Sequence, residues 1–247
     1  MRMAAGFGLS LSEETLTECA LYNIAVAHQG KDIAIDLATK PAEKKHGADW
    51  EWWLVQGKKG LGFRVQAKRL FPNGRYKYLI GSKPNPYEQL NKLVSVSATA
   101  RLEPLYCFFN FSHPQGQFGA PNVCRHSYRA PSFWGCSLAF PDHVKKANSN
   151  ELKKLRPIMY PWHMLVCESA KVGLLDAALR FVRDYSQRHQ VDGPRDLPNR
   201  VIRLIELGDQ KRTADHPSYL DDAFWYGGGE SPDEDVSGLI VVRDLRN

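Results

Sequence analysis

Hydrophobic and polar positions along the first 111 residues alternate with periods that change several times. From Ser12 to about His28, Leu16, Ala20, Ile24 and Ala27 fall on one helical stripe. A second stripe carries Glu14, Glu18, Leu21 and Ala25. Apolar residues thus surround most of this helix, and its glutamates need not face bulk water. Ser10 or Ser12 caps it, ahead of the acidic pair Glu13–Glu14. DIAIDLAT (32–39) then alternates with period two and predicts a strand. WEWWLV (50–55) is aromatic and β-branched, and GFRVQAKRL (62–70) follows after the turn QGKKG, so these two segments predict a hairpin.

Pro86 to about Arg101 predicts a helix with Leu90, Leu93, Val94 and Ser97 on one face. LYCFFNF (105–111) is a continuous apolar run of the kind buried on both faces of a sheet. The predicted order is α-β-β-β-α-β. Residues 112–135 are rich in Pro, Gly and Ser and read as a long loop or elaboration. Further on, CSLAF predicts a strand, Pro161 to about Gln187 a helix, RVIRLIEL a helix or a strand, and IVVRDL a small closing strand. The fold class expected is α/β, with a core over residues 1–111. Residues 112–247 form a mainly helical extension packed on it as part of the same domain.

Composition narrows the class. The 247 residues are 43% hydrophobic and 24% charged, an ordinary globular balance. No apolar run approaches the ~20 residues of a membrane span, and the N-terminus does not read as a signal peptide, so the expected location is the cytoplasm. Five scattered cysteines without a CxxC pair read as free thiols. The net charge of +6 is unevenly distributed. Residues 56–92 hold nine Lys and Arg against one acid, Glu88, whereas residues 221–235 hold six acids and no base. The basic block is a candidate phosphate-facing surface, with Lys58, Lys59, Arg64 and Arg69 as contacts.

Inside that block lies the candidate chemistry. Gln66 and Lys68 are two apart on one strand and point to the same face, and Asp49 stands at the entrance of the strand that pairs with it. An acid, an amide and an amine then surround one point. Metal-assisted phosphodiester hydrolysis needs oxygen ligands for a divalent ion and a cation for the developing charge. The order α-β-β-β-α-β with D-x16-Q-x-K resembles the PD-(D/E)XK (restriction-endonuclease-like) nucleases, in the QxK branch with Mrr-like and antiphage enzymes. The stretches EETLTE, GADWEWW, VQAKRL, YEQL and PLYCFFNF are similar to one bacterial group of that branch. The likeness covers residues 10–111.

That resemblance implies a fold with a mixed central sheet and a Mg2+- or Mn2+-dependent endonuclease acting on nucleic acid, DNA first. Defence against phage or foreign DNA follows from it as well. It makes Asp49 the central metal ligand and puts Gln66 where a second acid is usual, supplying an oxygen ligand. Lys68 then assists the attacking water, Glu18 or Glu14 from the first helix completes the site, and Gln89 is an ancillary residue. A homodimer or a regulatory partner accompanies such folds. Glutamine at the acid position leaves an alternative open: an inactive nuclease-like module that binds nucleic acid or protein. An RNA-cleaving effector is a third reading. Trp50, Trp52 and Trp53 read as core rather than as base-stacking groups. Glu43 reads as a loop acid. His113, Cys124, His126 and Cys136 have zinc-ligand types, but their spacing matches no compact zinc knuckle.

Overall fold

The computed structural model describes residues 11–28, 33–39, 48–81, 84–110, 131–167, 169–187, 191–213 and 238–246. Its elements in chain order are α1 (Glu13–His28), β1 (Ile33–Thr39), β2 (Trp50–Gln56), β3 (Lys59–Arg69), α2 (Glu88–Ala100), β4 (Glu103–Phe109) and β5 (Cys136–Ala139). There follow α3 (Pro141–Ala147), α4 (Leu152–Leu155), β6 (Tyr160–Pro161), α5 (Ser169–Val172), α6 (Leu174–Tyr185), β7 (Arg195–Asp196), α7 (Asn199–Thr213) and β8 (Gly238–Asp244). The protein is α/β with one mixed sheet in the order β1-β8-β2-β3-β4-β5-β6, and β7 adds to the end of β3.

The hairpin forms as the alternation predicts: β2 and β3 pair antiparallel, Trp50 opposite Val65 and Gln56 opposite Lys59. β4 runs parallel to β3, and α2 makes the crossover between them. A parallel connection of this kind needs a covering element, and α2 buries Leu90, Leu93 and Ser97.

The closing segment forms a strand, β8, as expected. It lies between β1 and β2, antiparallel to the first and parallel to the second. β2 is therefore a central strand, which explains why Trp50 to Val55 are all buried. Four strands from beyond residue 111 join the same sheet. The helix expected over Pro161–Gln187 is broken. Pro161 ends β6, a 3-10 turn covers Trp162–Val166, and Gly173 at φ 90° and ψ 158° separates α5 from α6. RVIRLIEL resolves as helix α7.

Each face of the sheet has its own core. Trp50, Trp52, Leu61, Phe63, Val65 and Ala67 face α1 and α6. The opposite face is covered by α2 and α7, where Trp53 packs with Leu102, Val201 and Leu204. Gly62 belongs there because a side chain at this point would press on Leu102 and lie 2.8 Å from the Trp53 ring. The three hairpin tryptophans are core residues, and Trp52 meets Trp162 edge-on at 5.1 Å.

Candidate functional site

Alternation along β3 decides which side chains meet. Val65 and Ala67 enter the α1 side, so Arg64, Gln66 and Lys68 face α2. Asp49 precedes β2 and continues its ladder, with its amide donating to the Val65 carbonyl at 2.8 Å. Its carboxylate Oδ2 accepts from the Ala67 amide at 2.6 Å and from Gln66 Nε2 at 2.5 Å. Gln89, in the first turn of α2, joins the other two residues. Its Nε2 donates to Gln66 Oε1 at 3.1 Å, and its Oε1 accepts from Lys68 Nζ at 2.9 Å. Asp49, Gln66 and Lys68 are each buried.

The first helix sends Glu13 to the end of β3. Glu13 Oε1 accepts the Arg69 amide at 3.2 Å, one residue beyond Lys68. Leu16, Thr17 and Leu21 are the buried positions of α1, which turns Glu13 toward the sheet and Glu18 toward solvent. Glu18 is exposed, so it does not join Asp49 as a ligand. The side chain of Glu14 and all of Glu43 lie outside the described residues. With apolar residues all around α1, periodicity had no unique inward face to reveal.

Tyr106 is the residue that sequence reasoning missed. It pairs with Gln66 across β3 and β4 and shares its face. It is fully buried, and its hydroxyl has no hydrogen-bond partner among the described residues. Burial, and then the nearby Asp49 charge, push the phenol well above its usual range.

The expected phosphate contacts divide. Lys58 and Lys59 are exposed in the turn of the hairpin, about 30 Å along β3 from Lys68. Lys59 pairs there with Asp196 at 2.8 Å. Arg64 is not a surface contact: it is 1% exposed, with its guanidinium on Glu51 Oε2 and the Val96 carbonyl, both at 3.5 Å. It lies on the inward face, where an acid on the neighbouring strand answers its charge. Arg69 ties the start of α1 to β3 by donating to the Leu11 carbonyl at 2.7 Å, and lies over the Phe71 ring.

The oxygen donors fit a hard divalent ion that keeps several of its waters. Asp49 offers a carboxylate, and Gln66 and Ala67 offer amide oxygens. Among the described residues no three His, Cys, Asp or Glu side chains gather into a metal cage. His113, Cys124 and His126 lie outside the described residues, and Cys136 stands 3.3 Å from the Cys107 sulfur.

A sequence profile for a family of unknown function, DUF6615, matches residues 1–244. The chain belongs to this family. No curated protein and no solved structure gives a significant match. No helix of the described residues is long and apolar enough to cross a membrane.

Proposed function

We propose that the chain is a metal-dependent nuclease of the PD-(D/E)XK type that hydrolyses phosphodiester bonds, with DNA as its first substrate class and Asp49, Gln66 and Lys68 at its centre. The observation that carries this reading is the convergence of an acid, an amide and a buried lysine on one sheet face, joined through Gln89. The sheet around them supports it: an antiparallel β2–β3 hairpin and a parallel β4 reached through α2. Asp49 and an oxygen of Gln66 or Ala67 would hold Mg2+ or Mn2+, and Glu13 accepts the Arg69 amide at the end of β3. When bound, that ion supplies Lewis-acid polarisation of the phosphodiester.

Lys68 carries the positive charge in this scheme. In a site shielded from bulk water, its ammonium offsets the negative charge that develops on the phosphoryl oxygens. Water adds to phosphorus, one P–O ester bond breaks, and the leaving oxygen takes a proton. Gln89, itself bonded to Gln66, holds Lys68 in place.

A second reading is supported by Gln66 itself. An amide in place of a second acid lowers the negative charge available to a metal, and suits a module that binds nucleic acid without cutting it. Plasmid DNA and RNA incubated with the full chain in Mg2+, Mn2+ or EDTA separate the two. Metal-dependent cutting reduced about 100- to 1,000-fold in folded Asp49→Ala and Lys68→Ala variants is expected. Absence of cutting with either metal on either substrate would sink the nuclease reading in favour of the binding module.

A further inference from the structure

Away from the candidate site, the carboxyl end of α2 and the amino end of α7 bring several arginines to one place. Glu51 is fully buried on β2 and is the hub. Its Oε1 accepts from Arg200 Nε at 2.9 Å, from Arg200 Nη2 at 2.6 Å and from Trp53 Nε1 at 2.6 Å. Its Oε2 faces Arg64. The guanidinium of Arg195 lies 4.9 Å from the Trp53 ring centroid and donates to the Ala100 carbonyl at 2.9 Å. The next residue, Arg101, ends α2 in the left-handed conformation and is exposed.

The charges do not balance locally. Arg64 and Arg200 already share the single Glu51 carboxylate, while Asp196 beside Arg195 pairs with Lys59. Burial, and then Arg200, make Arg195 less basic; Glu51 opposes this and Arg101 adds to it. Among the described residues, Arg195 Nε is buried without a hydrogen-bond partner, and no side-chain hydrogen bond or ion pair holds Arg101. Arg200 stands in the first turn of the 15-residue helix α7, a turn with no acid, where the helix dipole favours an anion rather than a cation. Two guanidiniums, Arg101 and Arg195, thus stand beside this positive helix end with no carboxylate paired to them among the described residues.

We propose that Arg101, Arg195 and Arg200 form a phosphate-binding site at the amino end of α7. Arg200, 30% exposed, spans from Glu51 toward the surface, and Arg101 gives the site its open side. α2 links this site to the candidate centre. Gln89 and Arg101 are twelve residues apart along it, about 18 Å at ~1.5 Å per residue. That distance matches about five nucleotides of one B-form strand. A nucleic-acid backbone gripped at the arginines can therefore extend toward Lys68, and a free phosphorylated small molecule offers the same group. Binding here does not depend on cleavage at Asp49.

The test uses the full chain in EDTA, so that binding is read without cutting. Fluorescence anisotropy with labelled single-stranded and duplex oligonucleotides is measured across salt concentrations, and melting is followed with inorganic phosphate against chloride at equal ionic strength. Arg101→Ala and Arg101→Glu are the deciding variants because this side chain is exposed. Lys153→Ala, exposed on α4, is the charge control. Loss of one phosphate contact should weaken oligonucleotide binding about five-fold near physiological salt and reduce the salt slope by about 0.7 to 0.9, with Arg101→Glu weaker still and the control unchanged. If instead the Arg101-dependent effect falls on phosphate stabilisation alone, the site is assigned to a free phosphorylated molecule. Variants that match the unmodified chain in both measurements overturn the proposal, and so does an equal loss in Lys153→Ala.

Discussion

Lys68 and Asp49 fix the direction of the hydrogen bonds that run between them. An ammonium donates and never accepts, so Gln89 must present Oε1 to Lys68, as it does at 2.9 Å. Its Nε2 is then committed to Gln66 Oε1, and Gln66 Nε2 to the acceptor-only carboxylate of Asp49. Two amides whose orientation would otherwise be free are set by a donor at one end and an acceptor at the other. Inverting either amide would set two donors or two acceptors against each other.

Gln89 is therefore a positioning residue, and its variants separate orientation from binding. Gln89→Ala removes an acceptor from Lys68 and a donor from Gln66 together. Gln89→Glu keeps an acceptor for Lys68 but cannot donate to Gln66. If the nuclease reading holds, each lowers kcat by about 10- to 100-fold while KM stays within about two-fold, the range seen when groups behind a metal site are removed. A rise in KM at constant kcat would instead make Gln89 a substrate contact.

Glu51 anchors the other charged cluster of the same face. Replacing it by Gln keeps the shape but removes a negative charge that faces Arg64, which is 1% exposed. Breaking a buried pair by removing one member costs about 3–5 kcal/mol. For a chain of this size that corresponds to a fall in Tm of about 6–20 °C. Thermal melts and urea titrations of Glu51→Gln read this directly. A fall below about 1 °C would show that Arg64 finds compensation elsewhere.

Much of this arrangement was legible because the informative periods are local. The β2–β3 hairpin, α2 and the doubly buried β4 each leave a signature within about fifteen residues, and together they bring Asp49, Gln66, Lys68 and Gln89 to one place. What escaped depends on contacts far apart in sequence. β8 enters the sheet between β1 and β2 from near the end of the chain, and its apolar stretch says nothing about its neighbours. Arg64 shows the same limit. As part of a basic run it reads as a phosphate contact, and only the pairing of β2 with β3 sets it opposite Glu51.

Gly173 tests why the expected long helix is two short ones. At φ 90° and ψ 158° it occupies a region nearly closed to residues with a Cβ, and an added Cβ would lie 3.1 Å from Gln56 Oε1. Gly173→Ala should cost about 1–3 kcal/mol, measured by urea unfolding. If the segment were free to become continuous helix, alanine would stabilise it instead. The sign of the change is the readout.

Two buried tyrosines predict how stability responds to alkali. Burial raises both Tyr76 and Tyr106 far above the ordinary phenol value of about 10, and Asp49 raises Tyr106 further. The folded chain then holds both phenols protonated at a pH where the unfolded chain releases them. Above about pH 10 the unfolded state binds fewer protons, so stability falls as pH rises toward the folded values, by up to about 1.4 kcal/mol per pH unit for each tyrosine. Below that pH this contribution is constant. Urea midpoints between pH 8 and pH 11.5 should be level at first and then decline. Tyr106→Phe should make the decline shallower without lowering stability near pH 8, because the hydroxyl it removes has no partner. Tyr76→Phe loses its 2.5 Å hydrogen bond to Asn110, so it should make the decline shallower but start from a lower stability. A decline of the same slope in both variants would place its origin in groups other than these phenols.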